Sequence, residues 1–177
     1  MSTYWINNSS LEEYNKILNQ KKIQYFDIKY KNKISRMKKG DKIIYFLNDK
    51  DLFIGISEVK SDNYDEINND LISIKIKKGT HLNLNNSIDA NQIGPSLEYV
   101  KRWAPEKWKL SLFGKLHIIS QNDYNFIQSC IKKNKQHYYL TPFVTACAYS
   151  LIPRVVRLAR TELDAKLRAD PRLAALL

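Results

Sequence analysis

The sequence predicts a small α+β domain in which helices flank a curved antiparallel or mixed sheet that forms a partial β-barrel. Three observations support this class: a capped helix opens the chain, β-rich runs fill its middle, and a second capped helix follows the last of them. The length of 177 residues allows one ordinary domain, or one domain with an appendage, and a core of that size needs no disulfides.

The first helix is predicted from the run Ser10-Leu11-Glu12-Glu13, which has the spacing of a capping box. Apolar residues continue at Tyr14 and Leu18, on the same helical face as the leucine of that run. Together these features predict a helix over about residues 11–20.

Four β-rich runs are predicted as strands: Lys42–Leu47, Leu52–Val59, Leu71–Lys77 and Leu116–Ile119. A turn at Lys39-Gly40-Asp41 precedes the first run, and the polar residues 48–51 join the first two as a hairpin. In the third run, isoleucines alternate with Ser73, Lys75 and Lys77, which predicts one solvent-facing side. The aromatic residues inside the strands are assigned to the core: Tyr45, Phe46 and Phe53.

The second helix is predicted to begin after Ser120, with Asp123 at the third helical position. Its buried face is predicted to consist of Tyr124, Ile127 and Ile131. The asparagine-rich residues 80–95 are predicted as a surface loop.

Composition changes abruptly near residue 140. Asparagine falls from 16 residues before this point to none after it, isoleucine falls from 19 to one, and alanine rises from two to seven. The change predicts a domain over residues 1–140 and a distinct helical tail over residues 141–177. It indicates that two coding sources were joined by fusion, frameshift or read-through, so that the tail is non-native; the alternative is a genuine terminal extension. No chemistry is assigned to the tail.

Several protein classes are excluded by the sequence. Cys130 and Cys147 form no disulfide or metal framework and indicate reduced cytosolic thiols. No apolar stretch approaches the roughly 20 residues needed to span a bilayer, and the N-terminus lacks the features of a signal peptide. We therefore expect a cytoplasmic protein rather than a secreted scaffold or a membrane protein.

Residues with catalytic potential are sparse. His81, His117 and His137 have no partner at metal-ligand spacing, which predicts surface or structural histidines. The five glycines form no phosphate-binding loop, and no nucleophile lies near a base in sequence. The sequence thus predicts a non-enzyme without metal or cofactor.

The formal charge of +11 and the pI near 9.5 favour a polyanionic partner such as nucleic acid. The alternative is a lysine-rich proteome that spreads solvated lysines over every surface. Two segments, residues 25–42 and 99–109, hold 11 of the 23 basic residues before the change in composition. The candidates for phosphate contacts are Lys29, Lys33, Arg36, Lys38, Lys39, Lys101, Arg102, Lys107 and Lys109.

Aromatic residues are interleaved with those lysines and arginines. Tyr25, Phe26 and Tyr30 lie in the first segment, and the second contains Tyr99, Trp103 and Trp108. Aromatic side chains stack on unpaired bases with about 1–3 kcal/mol each. For any single residue, the alternative is a core aromatic beside a solvated lysine.

The order of several motifs resembles the archaeal and bacterial EVE domains, PUA-like relatives of the YTH readers of methylated adenine. The motifs are Tyr4-Trp5-Ile6, residues 30–45 with their Met37-Lys38-Lys39-Gly40-Asp41 core, Ile54–Val59 with Tyr64, Leu97–Trp103, and Gly114-Lys115 leading to Asp123-Tyr124. The resemblance covers about residues 3–133 and excludes the tail.

The resemblance implies a PUA-like barrel with a pocket for a modified base, such as a methylated one, flipped out of DNA or RNA. The pocket candidates are Trp5, Tyr25, Tyr30, Lys31, Asn32, Ser35 and Trp103. Of these, Trp5 matches the opening tyrosine-tryptophan motif, Asn32 a pocket asparagine, and Trp103 the tryptophan of a late loop. Where relatives often have Trp-Gly before the pocket segment, this chain has Gln24-Tyr25.

Two alternatives to a non-catalytic reader stay open. PUA-like relatives of the ASCH type resemble hydrolases of modified nucleosides, which need a lysine, a carboxylate and a hydroxyl inside the pocket. An adaptor whose basic surface binds an acidic protein is the other, and equal binding to RNA and heparin would favour it.

Overall fold

The structure is a computed structural model that describes residues 2–20 and 22–135. Its strands are β1 (Tyr4–Ser9), β2 (Ile23–Asp27), β3 (Lys42–Leu47), β4 (Leu52–Val59), β5 (Asp65–Glu66), β6 (Leu71–His81), β7 (Ile88–Asp89) and β8 (Leu116–Ile119). Its α-helices are α1 (Leu11–Asn19), α2 (Lys31–Ile34), α3 (Ala90–Ile93) and α4 (residues 121–135). Short 3-10 segments at Ile28–Tyr30, Leu84–Asn86, Gly94–Ser96, Glu98–Val100 and Pro105–Leu112 connect them.

The strands form one mixed sheet in the order β2-β6-β4-β3-β1-β8, with β5 added to β6 and β7 added to β4. The pairing of β1 with β3 is parallel, and the other pairings are antiparallel. Five consecutive residues of β3, from Ile43 to Leu47, are buried, as expected for a strand covered on both faces. The sheet curls into a half-barrel with helices around it, which confirms the α+β class and the partial barrel.

The predicted helix starts are confirmed. In α1, the Ser10 hydroxyl accepts a hydrogen bond from the Glu13 N–H, and the Glu13 carboxylate accepts one from the Ser10 N–H. In α4, the Asp123 N–H donates to the Ser120 hydroxyl at 3.1 Å. Gly40 has a φ of +94°, a conformation that glycine adopts without steric cost, so the predicted turn before β3 also holds.

Two sequence predictions about exposure need correction. Ser73, predicted on the wet face of β6, is buried because β2 and β5 both pair with β6 at this position. The predicted surface loop over residues 80–95 contributes to the core through Leu82, Ile88 and Ala90. The strands β1 and β2 are additional elements that the sequence pattern did not predict. The predicted boundary near residue 140 and the helical tail lie outside the described residues.

A buried carboxylate holds the start of the chain on the sheet. Asp41 accepts hydrogen bonds from the Thr3 N–H at 2.8 Å, from the Trp5 indole N–H at 3.1 Å and from the Lys38 N–H at 3.1 Å. Both Asp41 and Trp5 are 1% exposed. Because a buried anion needs such donors, Asp41 fixes β1 beside the turn that precedes β3.

The barrel interior also contains a polar cluster around His81. The Tyr14 hydroxyl lies 2.7 Å from His81 Nδ1, and the Ser57 hydroxyl lies 3.3 Å from Nε2. Burial lowers the pKa of His81 to about 4, and Lys78 and Lys135 add to the shift. The imidazole is therefore neutral at pH 7 and serves as a half-buried structural residue that can hydrogen-bond Tyr14 and Ser57.

We expect the protein to lose stability in mild acid through His81. Its pKa is about 4 when folded, against an ordinary 6.5, so the unfolded chain takes up the proton first as pH falls. This loss of stability is small at pH 7, grows as the pH falls through 6.5 toward 4, and reaches roughly 2 kcal/mol at pH 5. Denaturant unfolding at pH 7 and pH 5 should show a smaller pH effect for His81→Gln than for the wild type. Equal pH effects would contradict this assignment.

Among residues 2–20 and 22–135, no helix is both long enough and apolar enough to cross a membrane.

Candidate nucleic-acid interface

A groove of about 380 Å³ lies where β1 ends and α1 begins. Its far wall is the segment that leads into β8. The groove is lined by Asn8, Glu13, Tyr30, Phe46, Asn48, Asp51, Lys109, Leu112, Phe113, Gly114 and Lys115. Phe113 is 89% exposed, so its ring stands at the groove in contact with solvent. An aromatic face of this kind can stack on a planar ligand.

A second cavity, of about 270 Å³, adjoins this groove on the β2 side. Glu13, Tyr30 and Lys115 line both cavities, and Gln24 and Tyr25 line the second one. We call the two cavities together the Tyr30 groove. Their combined size and mixed aromatic and polar walls suit a small planar ligand with hydrogen-bonding edges.

Two amides of the Tyr30 groove each have one atom fixed and one atom unpaired. Asn8 Nδ2 donates to the Leu112 carbonyl at 2.8 Å, and Gln24 Oε1 accepts from the Tyr45 hydroxyl at 2.8 Å. Asn8 Oδ1 and Gln24 Nε2 are buried and have no partner among the described residues. A buried unpaired amide atom costs about 1–3 kcal/mol unless water or a ligand supplies the partner.

Charges of both signs border the groove. Lys115 pairs with Glu13 at 2.6 Å, and Lys109 pairs with Asp51 at 2.5 Å. Glu13 therefore has two roles, because the same carboxylate also belongs to the capping box of α1. These pairs connect the helix and the hairpin to the segment before β8 across the groove.

The structure brings only part of the predicted base pocket together. Tyr25 and Tyr30 line the Tyr30 groove. Trp5 lies in the core, where its indole N–H donates to Asp41, and it lines neither cavity. The exposed residues Lys31 and Asn32 of α2, and Ser35 directly after it, also lie outside the groove lining. Their assignment to the pocket stays a prediction.

Trp103 lies in a different cavity from Tyr25 and Tyr30. This cavity has a volume of about 560 Å³ and is lined by Glu98, Tyr99, Arg102, Trp103, Leu110 and Ser111. Trp108, the other tryptophan of that basic segment, is buried. Its ring packs edge-to-face with Phe46, and it lies so close to Gly94 that a Cβ at that position would come within 2.6 Å of the ring. Trp108 is therefore a core residue, whereas Trp103 is available to a ligand.

All nine candidate phosphate contacts are exposed. Within the described part of the chain, Lys29 pairs with Asp27 and Lys109 with Asp51, while the other seven form no ion pair. Lys33 donates to the Leu116 carbonyl at 2.8 Å. Lys29 and Lys109 line parts of the Tyr30 groove, which places cations at its edge.

Sequence reasoning missed the polar groove residues Asn8, Gln24 and Lys115. The groove brings together positions that are more than 100 residues apart, through the pairing of β1 with β8. One signal was present: a glycine, Gly114, directly before a short strand and after the exposed Phe113. A glycine and an aromatic residue in that position are common in loops, so the signal alone does not identify a site.

The first segment of the chain matches a family model. Residues 3–81 match the EVE domain. Among curated proteins, no sequence matches this chain.

Solved structures share the fold at low identity. The Mmi1 YTH domain in complex with RNA has a TM-score of 0.56 and 15% identity, over 77% of this chain and 82% of that one. The YTH domain of Zygosaccharomyces rouxii MRB1 in complex with N6-methyladenosine RNA has a TM-score of 0.56 and 16% identity, over 74% of this chain and 87% of that one. The Pho92 YTH domain in complex with m6A has a TM-score of 0.55 and 14% identity, over 74% and 84%.

These findings agree with the motifs of the sequence and with the half-barrel: residues 3–81 of this chain are similar to the EVE domain.

Proposed function

We propose that this protein is a non-catalytic reader that takes a modified base of DNA or RNA into the Tyr30 groove. The observation that carries the proposal is the pair of half-satisfied amides, Asn8 and Gln24, in a groove with aromatic walls. Among the YTH domains with the same fold, the Mmi1 domain is in complex with RNA, the MRB1 domain with N6-methyladenosine RNA and the Pho92 domain with m6A.

The chemistry of a modified base fits this groove. Tyr30, Tyr25 and Phe113 offer aromatic faces, and contact with a methyl group contributes about 0.8 kcal/mol. The unpaired oxygen of Asn8 is an acceptor and the unpaired N–H group of Gln24 is a donor, and both atoms are buried in residues that line the groove. The groove offers aromatic contact directly, and a base reaches these two atoms when the groove walls shift to admit it.

Basic side chains around the domain support binding of the strand that carries the base. Extrusion of a base from a stack costs a few kcal/mol, which phosphate contacts must offset. The exposed lysines and arginines of residues 25–42 and 99–109 can supply those contacts. We therefore expect modest affinity that falls steeply as salt rises.

The reader proposal is tested by titrating the full chain with matched single strands that do or do not contain N6-methyladenosine, at two salt concentrations. We expect tighter binding to the methylated strand, with a preference that persists at both salt concentrations while total affinity falls. DNA and RNA versions, and strands with other modified bases, identify the carrier and the modification. Equal affinity for every strand would mean phosphate binding without a base pocket.

One observation favours a second function, hydrolysis of an acylated base. Glu13, Tyr30 and Lys115, which line both parts of the groove, supply the carboxylate, hydroxyl and lysine that such a reaction uses. Glu13 would accept a proton from an attacking water, and the Lys115 ammonium would stabilise the oxyanion on the acyl carbon. The C–N bond would then break as Glu13 returns that proton to the leaving amine, and the released carboxylic acid would lose its remaining proton to solvent.

Incubation with N-acetylated nucleosides separates hydrolysis from reading. For a reader, we expect no free acetate above the uncatalysed rate. Acetate release that disappears in Glu13→Gln, while the variant still binds nucleic acid, would establish the hydrolase instead. A circular dichroism spectrum controls for loss of the capping box in that variant, and Glu12→Gln is the matched control on the same helix.

A further inference from the structure

We propose that the Trp103 cavity is a second nucleotide site, which stacks an unmodified base next to the base in the Tyr30 groove. It would take an unpaired base with its phosphate, from the same strand. The inference rests on the proposed function for its ligand class, but it comes from a different part of the molecule.

Trp103 is placed as a surface platform. It is 45% exposed, and Leu110 beside it in the cavity lining is 51% exposed. Exposed large apolar side chains in one cavity mark a ligand or partner surface. The volume of about 560 Å³ is ample for a nucleobase.

Hydrogen bonds to α4 and β8 hold another part of the cavity lining in place. The Asp123 carboxylate accepts hydrogen bonds from the Glu98 N–H at 2.7 Å and from the Tyr99 N–H at 2.9 Å. The Tyr99 hydroxyl lies 3.1 Å from His117 Nδ1. The segment that contributes Tyr99 is thus fixed to α4 and β8, so a ligand meets a preformed wall.

The charges of the cavity suit a nucleotide. Arg102 lines it, is exposed, and forms no ion pair within the described part of the chain. The Glu98 carboxylate also lines the cavity and stays ionised, because hydrogen bonds from the Ser120 hydroxyl at 2.8 Å and the Asn122 amide at 3.2 Å lower its pKa, so a phosphate would bind at Arg102 and away from Glu98. A guanidinium beside an indole can contact a phosphate while the indole stacks on the base.

The position of the cavity indicates that both sites serve one strand. Leu110 and Ser111 line the Trp103 cavity, and Lys109, Leu112 and Phe113 line the Tyr30 groove. One short segment, Lys109–Phe113, therefore contributes to both sites. A single strand that crosses this segment can place one base on each side of it.

Abasic scanning tests the inference. Full-length protein is titrated with short single strands that contain one N6-methyladenosine, in which each neighbouring nucleotide is replaced in turn by an abasic one. For the wild type we expect roughly tenfold weaker binding when one particular neighbour is abasic. In Trp103→Ala that loss should vanish, while the ratio of affinities for methylated and unmethylated strands stays unchanged. Trp103→Phe should again bind more weakly when that neighbour is abasic, because phenylalanine retains an aromatic face.

The outcomes distinguish this inference from the proposed function. A changed preference for the methylated base in Trp103→Ala would overturn the inference, because Trp103 would then belong to the modified-base pocket. The inference would also be overturned if no abasic replacement weakened binding to the wild type. That result is expected if the Trp103 cavity binds a hydrophobic peptide and no base. If one abasic neighbour weakens binding but methylated and unmethylated strands bind equally, the Trp103 site is supported and the reader proposal is overturned.

Discussion

Phe113→Ala should weaken binding of a methylated single strand about tenfold or more, without unfolding the protein. Its ring is 89% exposed and lines the Tyr30 groove, so truncation removes a stacking surface and leaves the core intact. Stacking of one base on an aromatic side chain contributes about 1–3 kcal/mol, or roughly five- to 150-fold in affinity. Fluorescence anisotropy with a labelled strand measures the change, and thermal unfolding confirms the fold.

A second exposed phenylalanine provides the matched control. Phe126 is 41% exposed on α4 and lines neither part of the Tyr30 groove. We expect Phe126→Ala to change affinity less than twofold. If both variants bind like the wild type, the ring of Phe113 is not part of the base site.

Asp41→Ala should lower the free energy of unfolding by about 3–5 kcal/mol, the largest stability loss we expect from one polar residue here. The carboxylate is 1% exposed and accepts from three donors, namely the N–H groups of Thr3 and Lys38 and the Trp5 indole. Alanine leaves those donors without their acceptor and opens a void beside Trp5. Urea unfolding measures the loss.

We expect Asp41→Asn to lower the free energy of unfolding by less than Asp41→Ala does. One acceptor oxygen remains in this variant, while the new NH₂ group faces a donor. Asp62 is the control: its exposed carboxylate accepts one hydrogen bond, from the Lys39 N–H at 3.0 Å, and Asp62→Ala should cost less than about 1 kcal/mol. Similar losses for Asp41→Ala and Asp62→Ala would show that the Asp41 network contributes little.

Local sequence signals predicted the elements whose folding is governed by local chemistry. Ser10 and Ser120 cap their helices by contacts within one turn, and Gly40 adopts the positive φ that its turn requires. In contrast, β1 ends in Asn-Asn-Ser, which is typical of turns. It becomes a strand because β3 and β8 pair with it on both sides.

The candidate site was only partly predictable for the same reason. The tyrosines at 25 and 30 were found from their place among lysines, and both line the groove. Asn8 and Lys115 belong to it only after β1 pairs with β8. Trp103 and Trp108 both lie among basic residues in the sequence, so their surroundings along the chain do not distinguish them. Trp108 becomes a core residue because it packs against Gly94 and Phe46.

The most direct test of the groove is contact between the modified base and its walls. A strand with a ¹³C-labelled methyl group on N6-methyladenosine is bound to the full chain, and intermolecular nuclear Overhauser effects are measured from that methyl group. We predict cross-peaks to the ring protons of Tyr30 and Phe113. Cross-peaks to Trp103 in their place, or none at saturation, would contradict the assignment of the modified base to the Tyr30 groove.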